Sequence, residues 1–134
     1  NFSAYATSKA AVVRFTETVA EELKPHNIQI NAIAPGAVNT KLLDESLEAG
    51  KDAVGEKFYE KIVNQKREGG DSPQLAADLI LFLISDRSFN LTGKLISAKW
   101  DSWKDWDEAE IARLKNSSEY NLRRIDNKDF GEIK

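Results

Sequence analysis

The chain has no cysteine and no methionine, and only one histidine and three prolines among its 134 residues. Without cysteine there is neither a disulfide framework nor a thiolate metal site. His26 stands alone, which excludes metal clusters built on histidine or cysteine and excludes a Ser-His-Asp triad. No stretch approaches the roughly 20 apolar residues of a membrane span, and no signal peptide is visible. Positive charge is not in excess: the net charge of −3 argues against a general affinity for nucleic acid or acidic membranes. There is no internal repeat and no low-complexity segment. The hydrophobic share of 41% supports one modest core at this length.

Apolar spacing then divides the chain. Residues 4–24 read as a helix, with Val12, Phe15, Val19 and Leu23 on one face and Lys24-Pro25 as its stop. Residues 28–34 form a short apolar run without alternation, as in a strand buried on both faces of a parallel sheet. Pro35-Gly36 ends it, because proline removes a ladder donor and glycine permits a sharp turn. Residues 37–71 are polar and glycine-punctuated, with one helix expected within 53–67. Ser72-Pro73 predicts a helix start, serine as N-cap and proline at the first helical position. Leu75, Leu79, Phe82 and Leu83 carry its apolar face. Leu91-Thr92-Gly93 turns into a final strand at 94–98, so strand, helix and strand imply a right-handed crossover between parallel neighbours.

The chemistry-bearing pattern lies at the start. Tyr5 and Lys9 are four residues apart and share one face of a helix. An ammonium beside a phenol favours the phenolate, and such a pair can donate and accept the proton of alcohol–ketone chemistry near neutral pH. A tyrosine and lysine at this spacing are by themselves a weak signal. They do not stand alone: Asn31-Ala-Ile-Ala-Pro35-Gly36 and Thr40 follow, then Ser72-Pro73, Ala76-Ala-Asp78, Phe82-Leu83, Ser85-Asp86 and Leu91-Thr92-Gly93.

In that order and spacing these motifs resemble the short-chain dehydrogenase/reductase family, over residues 3 to about 98. The resemblance implies an α/β fold, the C-terminal part of a Rossmann-like doubly wound parallel sheet. It implies an NAD(P)-dependent oxidoreductase that moves hydride between nicotinamide and a small alcohol or ketone. Tyr5 would be the catalytic acid or base. Lys9 would support it and bind the nicotinamide ribose, and Pro35, Gly36, Ala37, Val38 and Thr40 would flank the nicotinamide. Residues 37–71 would be the substrate lid. The choice of NAD or NADP is open. A homo-oligomer and a cytoplasmic location are expected, with no nucleic-acid or membrane partner. The family's glycine-rich cofactor turn and its catalytic serine, which precedes the tyrosine by about a dozen residues, are not in this sequence. Ser3 and Ser8 lie at the wrong offset for that serine. The chain is therefore expected to be the C-terminal half of an enzyme, and an alternative is a non-catalytic interaction or oligomerisation fragment. The sugar-nucleotide epimerases share Tyr-x-x-x-Lys but not the Asn-Ala-Ile-Ala-Pro-Gly pattern, and rank below.

Residues 99–134 depart from the family, many of whose members end the last strand in an aspartate followed by two glycines. Here Lys99 follows Ala98, and Trp100, Trp103 and Trp106 recur at a spacing of three. They are expected to cover apolar surface at the sheet end or a subunit contact, or else to wall the substrate site. Asp105 or Asp107 would cap a helix running through Lys115, and the polar tail with Arg123-Arg124 reads as a solvated or partner-clasping extension.

Overall fold

The computed structural model describes residues 2–123. Arg124 and the acidic tail positions beyond it lie outside the described residues. Five helices and two strands follow one another: α1 Ser3–Leu23, β1 Ala32–Ala34, α2 Lys41–Val54, α3 Glu56–Glu68, α4 Pro73–Leu83, β2 Leu95–Ser97 and α5 Glu108–Lys115. β1 and β2 pair in parallel, with Ala32 opposite Leu95 and Ala34 opposite Ser97. The architecture is α/β, as the family resemblance implies.

Local chemistry sets most boundaries. A short 3-10 turn at Lys24–His26, containing Pro25, ends α1, and Asn27 adopts the left-handed conformation with φ 57°. At α4 the Ser72 hydroxyl accepts from the Gln74 N–H. At α5 the Asp107 carboxylate, one of the two expected caps, accepts from the Glu110 N–H at 2.8 Å. Each such cap satisfies a backbone donor that the first helical turn leaves unpaired.

Two expectations are corrected here. The strand expected over 28–34 is regular only from Ala32. Before it, side chains share the pairing with backbone: the Gly93 N–H donates to the Ile30 carbonyl at 2.7 Å, and the Thr92 hydroxyl accepts from the Ile30 N–H at 3.0 Å. Asn31 accepts from the Lys94 N–H and donates to the Leu91 carbonyl. Residues 37–71 hold two helices rather than one. α2 is broken at Gly50, with φ 77°, and Gly55 separates it from α3.

The core lies between α4, β2 and the segment after β2. Leu79 and Phe82 of α4 meet Leu91, Ile96, Ala98, Trp103, Trp106, Ile111 and Leu114. Phe82 stacks within 5.6 Å of Trp103 and 6.1 Å of Trp106, measured between ring centres. Two of the three tryptophans are thus interior, while Trp100 is 78% exposed. Burying an indole requires a partner for its N–H, and Trp103 Nε1 donates to the Ala98 carbonyl at 3.1 Å.

Residues 117–122 fold back along the far edge of β2. The Leu95 N–H donates to the Tyr120 carbonyl at 2.8 Å, and Asn121 Nδ2 donates to the Gly93 carbonyl. The described part of the extension therefore clasps its own chain.

Candidate active-site elements

Tyr5 sits in the first turns of α1 and is 49% exposed. One helical turn on, the Lys9 ammonium lies 5.4 Å from the centre of the Tyr5 ring. The pair meets as the spacing predicts, with the cation beside the ring. Ser8 does not join it, since its hydroxyl donates to the Tyr5 backbone carbonyl at 2.7 Å. Phe2 flanks the tyrosine edge-on, with ring centres 6.3 Å apart.

The second element is the turn at the end of β1. Gly36 has φ 93°, a conformation open to glycine but strained for other residues. The Ala37 N–H donates to Asp71 Oδ2 at 2.7 Å, and the Asp71 N–H returns a bond to the Ala37 carbonyl at 3.0 Å. Gln65 Nε2 donates to the Ala37 carbonyl and to Asn39 Oδ1, at 2.9 and 3.1 Å. Asp71 Oδ1 accepts from the Lys99 ammonium at 2.6 Å. The Lys99 ammonium and the Ala37 N–H hold the Asp71 carboxyl below the usual carboxylate range. Thr40 stands at the N-cap position of α2 in extended conformation, yet its hydroxyl makes no capping bond. A threonine there ordinarily spends its hydroxyl on the helix.

No hydrogen bond joins the Tyr5–Lys9 pair to the Pro35–Thr40 turn among the described residues. α3 reaches both. Phe58 packs on Phe2 with ring centres 4.5 Å apart, Ile62 is buried, and Gln65 holds the turn. These three recur at helical spacing and share one face of α3. Sequence reasoning missed Gln65, Asp71 and Lys99. Their partners are 28 or more residues away apart from Gln65's 26-residue reach to Asn39, and no local pattern announces such a pairing. Among the described residues no group of acidic and histidine side chains could hold a metal ion, and no helix is long and apolar enough to cross a membrane.

The helix that carries the tyrosine–lysine pair leads into a parallel strand–helix–strand unit with a Pro-Gly turn at the end of its first strand, an α/β arrangement. The chain belongs to the short-chain dehydrogenase/reductase family, most of whose members use NAD or NADP. The family described as enoyl-(acyl carrier protein) reductase matches residues 1–98. Protein FixR of Bradyrhizobium diazoefficiens is 40% identical over 91 residues, covering 68% of this chain and 29% of that protein. A 3-oxoacyl-[acyl-carrier-protein] reductase, FabG, of Aquifex aeolicus is 35% identical over 92 residues, or 69% of this chain and 34% of that protein. An NAD-dependent glycerol dehydrogenase of Listeria innocua is 38% identical over 91 residues, or 68% of this chain and 34% of that protein. The chain spans roughly a third of the length of the curated relatives it matches. No solved structure matches it.

Proposed function

We propose that this chain supplies the proton-transfer pair and one wall of the nicotinamide site of an NAD(P)-dependent enzyme that interconverts an alcohol and a carbonyl compound. The observation that carries the reading is the Lys9 ammonium held beside the exposed Tyr5 ring. In the reducing direction the Tyr5 hydroxyl donates its proton to the carbonyl oxygen. In the oxidising direction it takes the proton of the alcohol. Lys9 supports both by keeping a positive charge over the Tyr5 ring and by offering hydrogen bonds to ribose hydroxyls.

The residues fit a dinucleotide. The uncapped Thr40 hydroxyl opens a helix whose N–H groups favour an anionic or carboxamide oxygen, and Pro35, Gly36, Ala37 and Val38 present backbone beside it. The cofactor, when bound, supplies or accepts the hydride. Residues 37–71, which include α2 and α3, serve as the lid over a small alcohol or carbonyl substrate, and the enzyme works as a homo-oligomer.

Tyr5→Phe in the intact protein tests the reading. It keeps the ring and removes the proton, so turnover falls by about two to four orders of magnitude, as loss of a general acid–base group does, while dinucleotide binding persists. Lys9→Ala lowers both turnover and dinucleotide affinity. Activity near wild type in Tyr5→Phe would sink the assignment.

A further inference from the structure

We propose that Lys99, acting through Asp71, is a positioning residue for the Pro35–Val38 turn. The two strands leave the sheet side by side. β1 runs into Pro35-Gly36-Ala37, and β2 runs through Ala98, whose N–H donates to the Ala34 carbonyl at 2.9 Å, into Lys99. Asp71 sits between these exits and divides its carboxylate. Oδ2 takes the Ala37 N–H and Oδ1 takes the Lys99 ammonium, at 2.7 and 2.6 Å. Hydrogen bonds between charged groups are shorter and stronger than neutral ones, and this one joins side chains only 15% (Asp71) and 36% (Lys99) exposed.

The segments are pressed together at two glycines. A Cβ on Gly36 would lie 2.8 Å from Asp71 Oδ2, and one on Gly70 would lie 2.7 Å from the Ala37 carbonyl oxygen. At Gly36 the space is set by the carboxylate itself, and the carboxylate is aimed by Lys99. Without that cation, Oδ1 has no protein donor and the carboxylate is free to turn toward water. The Ala37 N–H then loses its fixed acceptor. The Trp100 ring lies 4.8 Å from the Lys99 ammonium. The segment after β2 thereby sets the pose of a turn more than 60 residues earlier. The consequence for cofactor binding rests on the reading of Pro35–Val38 as the nicotinamide wall; the latch does not.

The test compares Lys99→Ala, Lys99→Asp and Lys99→Arg in the full chain. Hydrogen exchange at the Ala37 amide is followed by NMR, with the Leu79 amide as an internal reference for global stability. Exchange at Ala37 should speed up about tenfold in Lys99→Ala, as when one charge-assisted contact on a local opening is lost. It should rise further in Lys99→Asp, return close to wild type in Lys99→Arg, and leave Leu79 unmoved in all three. The pH at which the Ala37 amide shift follows the Asp71 carboxyl should move up in Lys99→Ala. Unchanged Ala37 exchange in both Lys99→Ala and Lys99→Asp would overturn the proposal, as would failure of Lys99→Arg to restore it. Dinucleotide affinity of the intact protein is the second readout: it should weaken several-fold in Lys99→Ala and recover in Lys99→Arg. Faster exchange with unaltered affinity overturns the role given to the turn and leaves the latch standing.

Discussion

A lysine at the heart of a fold has to be held by acceptors. Lys94 is 4% exposed. Its ammonium donates to the Ser117 carbonyl at 2.7 Å, the Glu119 carbonyl at 3.1 Å and Asn121 Oδ1 at 3.0 Å. Burial pushes its pKa down, and the carboxylates of Glu119, Glu17 and Glu21 oppose that only in part. The residue pins the returning tail to β2. Lys94→Met removes the donors and leaves buried carbonyls unpaired, a loss of about 1–3 kcal/mol, read from the urea midpoint. The sign of its pH dependence follows from the lowered pKa. Between the folded pKa and lysine's ordinary value the unfolded chain binds more protons, so wild-type stability gains as pH rises through that window. The stability gap between wild type and Lys94→Met should therefore widen from neutral pH toward the ordinary lysine value. A gap that narrows instead would contradict a charged, desolvated Lys94. The tryptophans divide in the same way. Trp103→Ala opens a cavity in the core and costs about 3–5 kcal/mol, while Trp100→Ala stays within about 0.5 kcal/mol, both measured by chemical denaturation.

At the scale of elements, the two helices after the Pro-Gly turn are thinly anchored. Leu43 is the buried residue of α2 and Ile62 that of α3. The ion pair between Lys66 and Asp44, at 2.6 Å, is half exposed, and such pairs contribute little. The face formed by Phe58, Ile62 and Gln65 is what holds α3 across the site. Hydrogen exchange over residues 41–68 should therefore run faster than over 14–23 of α1, where Thr16, Glu17 and Ala20 are buried. Equal protection of the two segments, with no ligand present, would count against a lid. The same contrast explains what could be read in advance. The extents of α1 and α4 and the line of β2 were legible because apolar spacing, a Ser-Pro start and a Pro stop act locally, but the buried side of α1 was not, since Val12 and Phe15 of its apolar face are exposed whereas Glu17 is buried. So was the Tyr5–Lys9 pair, which needs only a helix. α2 was hidden because Glu45, Ser46 and Glu48 mask its apolar side and Gly50 breaks it. The late start of β1 was hidden because Asn31 and Thr92 take over ladder bonds through side chains. Trp103 and Trp106 could not be told from Trp100, since their burial depends on Phe82 and Ala98, contacts that spacing does not encode. Asp71, Lys99 and Lys94 were unreadable for the same reason.

At the scale of the whole molecule, the two-stranded sheet is closed on one side only. The backbone at Tyr120 occupies the outer edge of β2, but no strand lies beyond β1 among the described residues. Apolar side chains also stand in water as neighbours rather than singly. Val12 and Phe15 are one turn apart on α1, and Leu81 of α4 lies three residues before Ile84 at its C-cap, with Phe15 68% and Ile84 74% exposed. Scattered exposed hydrophobics are ordinary, whereas contiguous ones mark surfaces that associate. An open strand edge adds to that tendency. Covering one such side chain gains about 1.5–3 kcal/mol, against a whole-domain stability of about 5–15 kcal/mol, so several together shift the balance toward an assembled state. The purified chain should therefore sediment as more than a monomer, with a mass that grows with concentration. Phe15→Glu or Ile84→Glu, each placing a charge on one of these faces, should shift it toward monomer without lowering helix content. A wild-type chain that stays monomeric over the whole concentration range, and melts cooperatively on its own, would show that these faces need no cover.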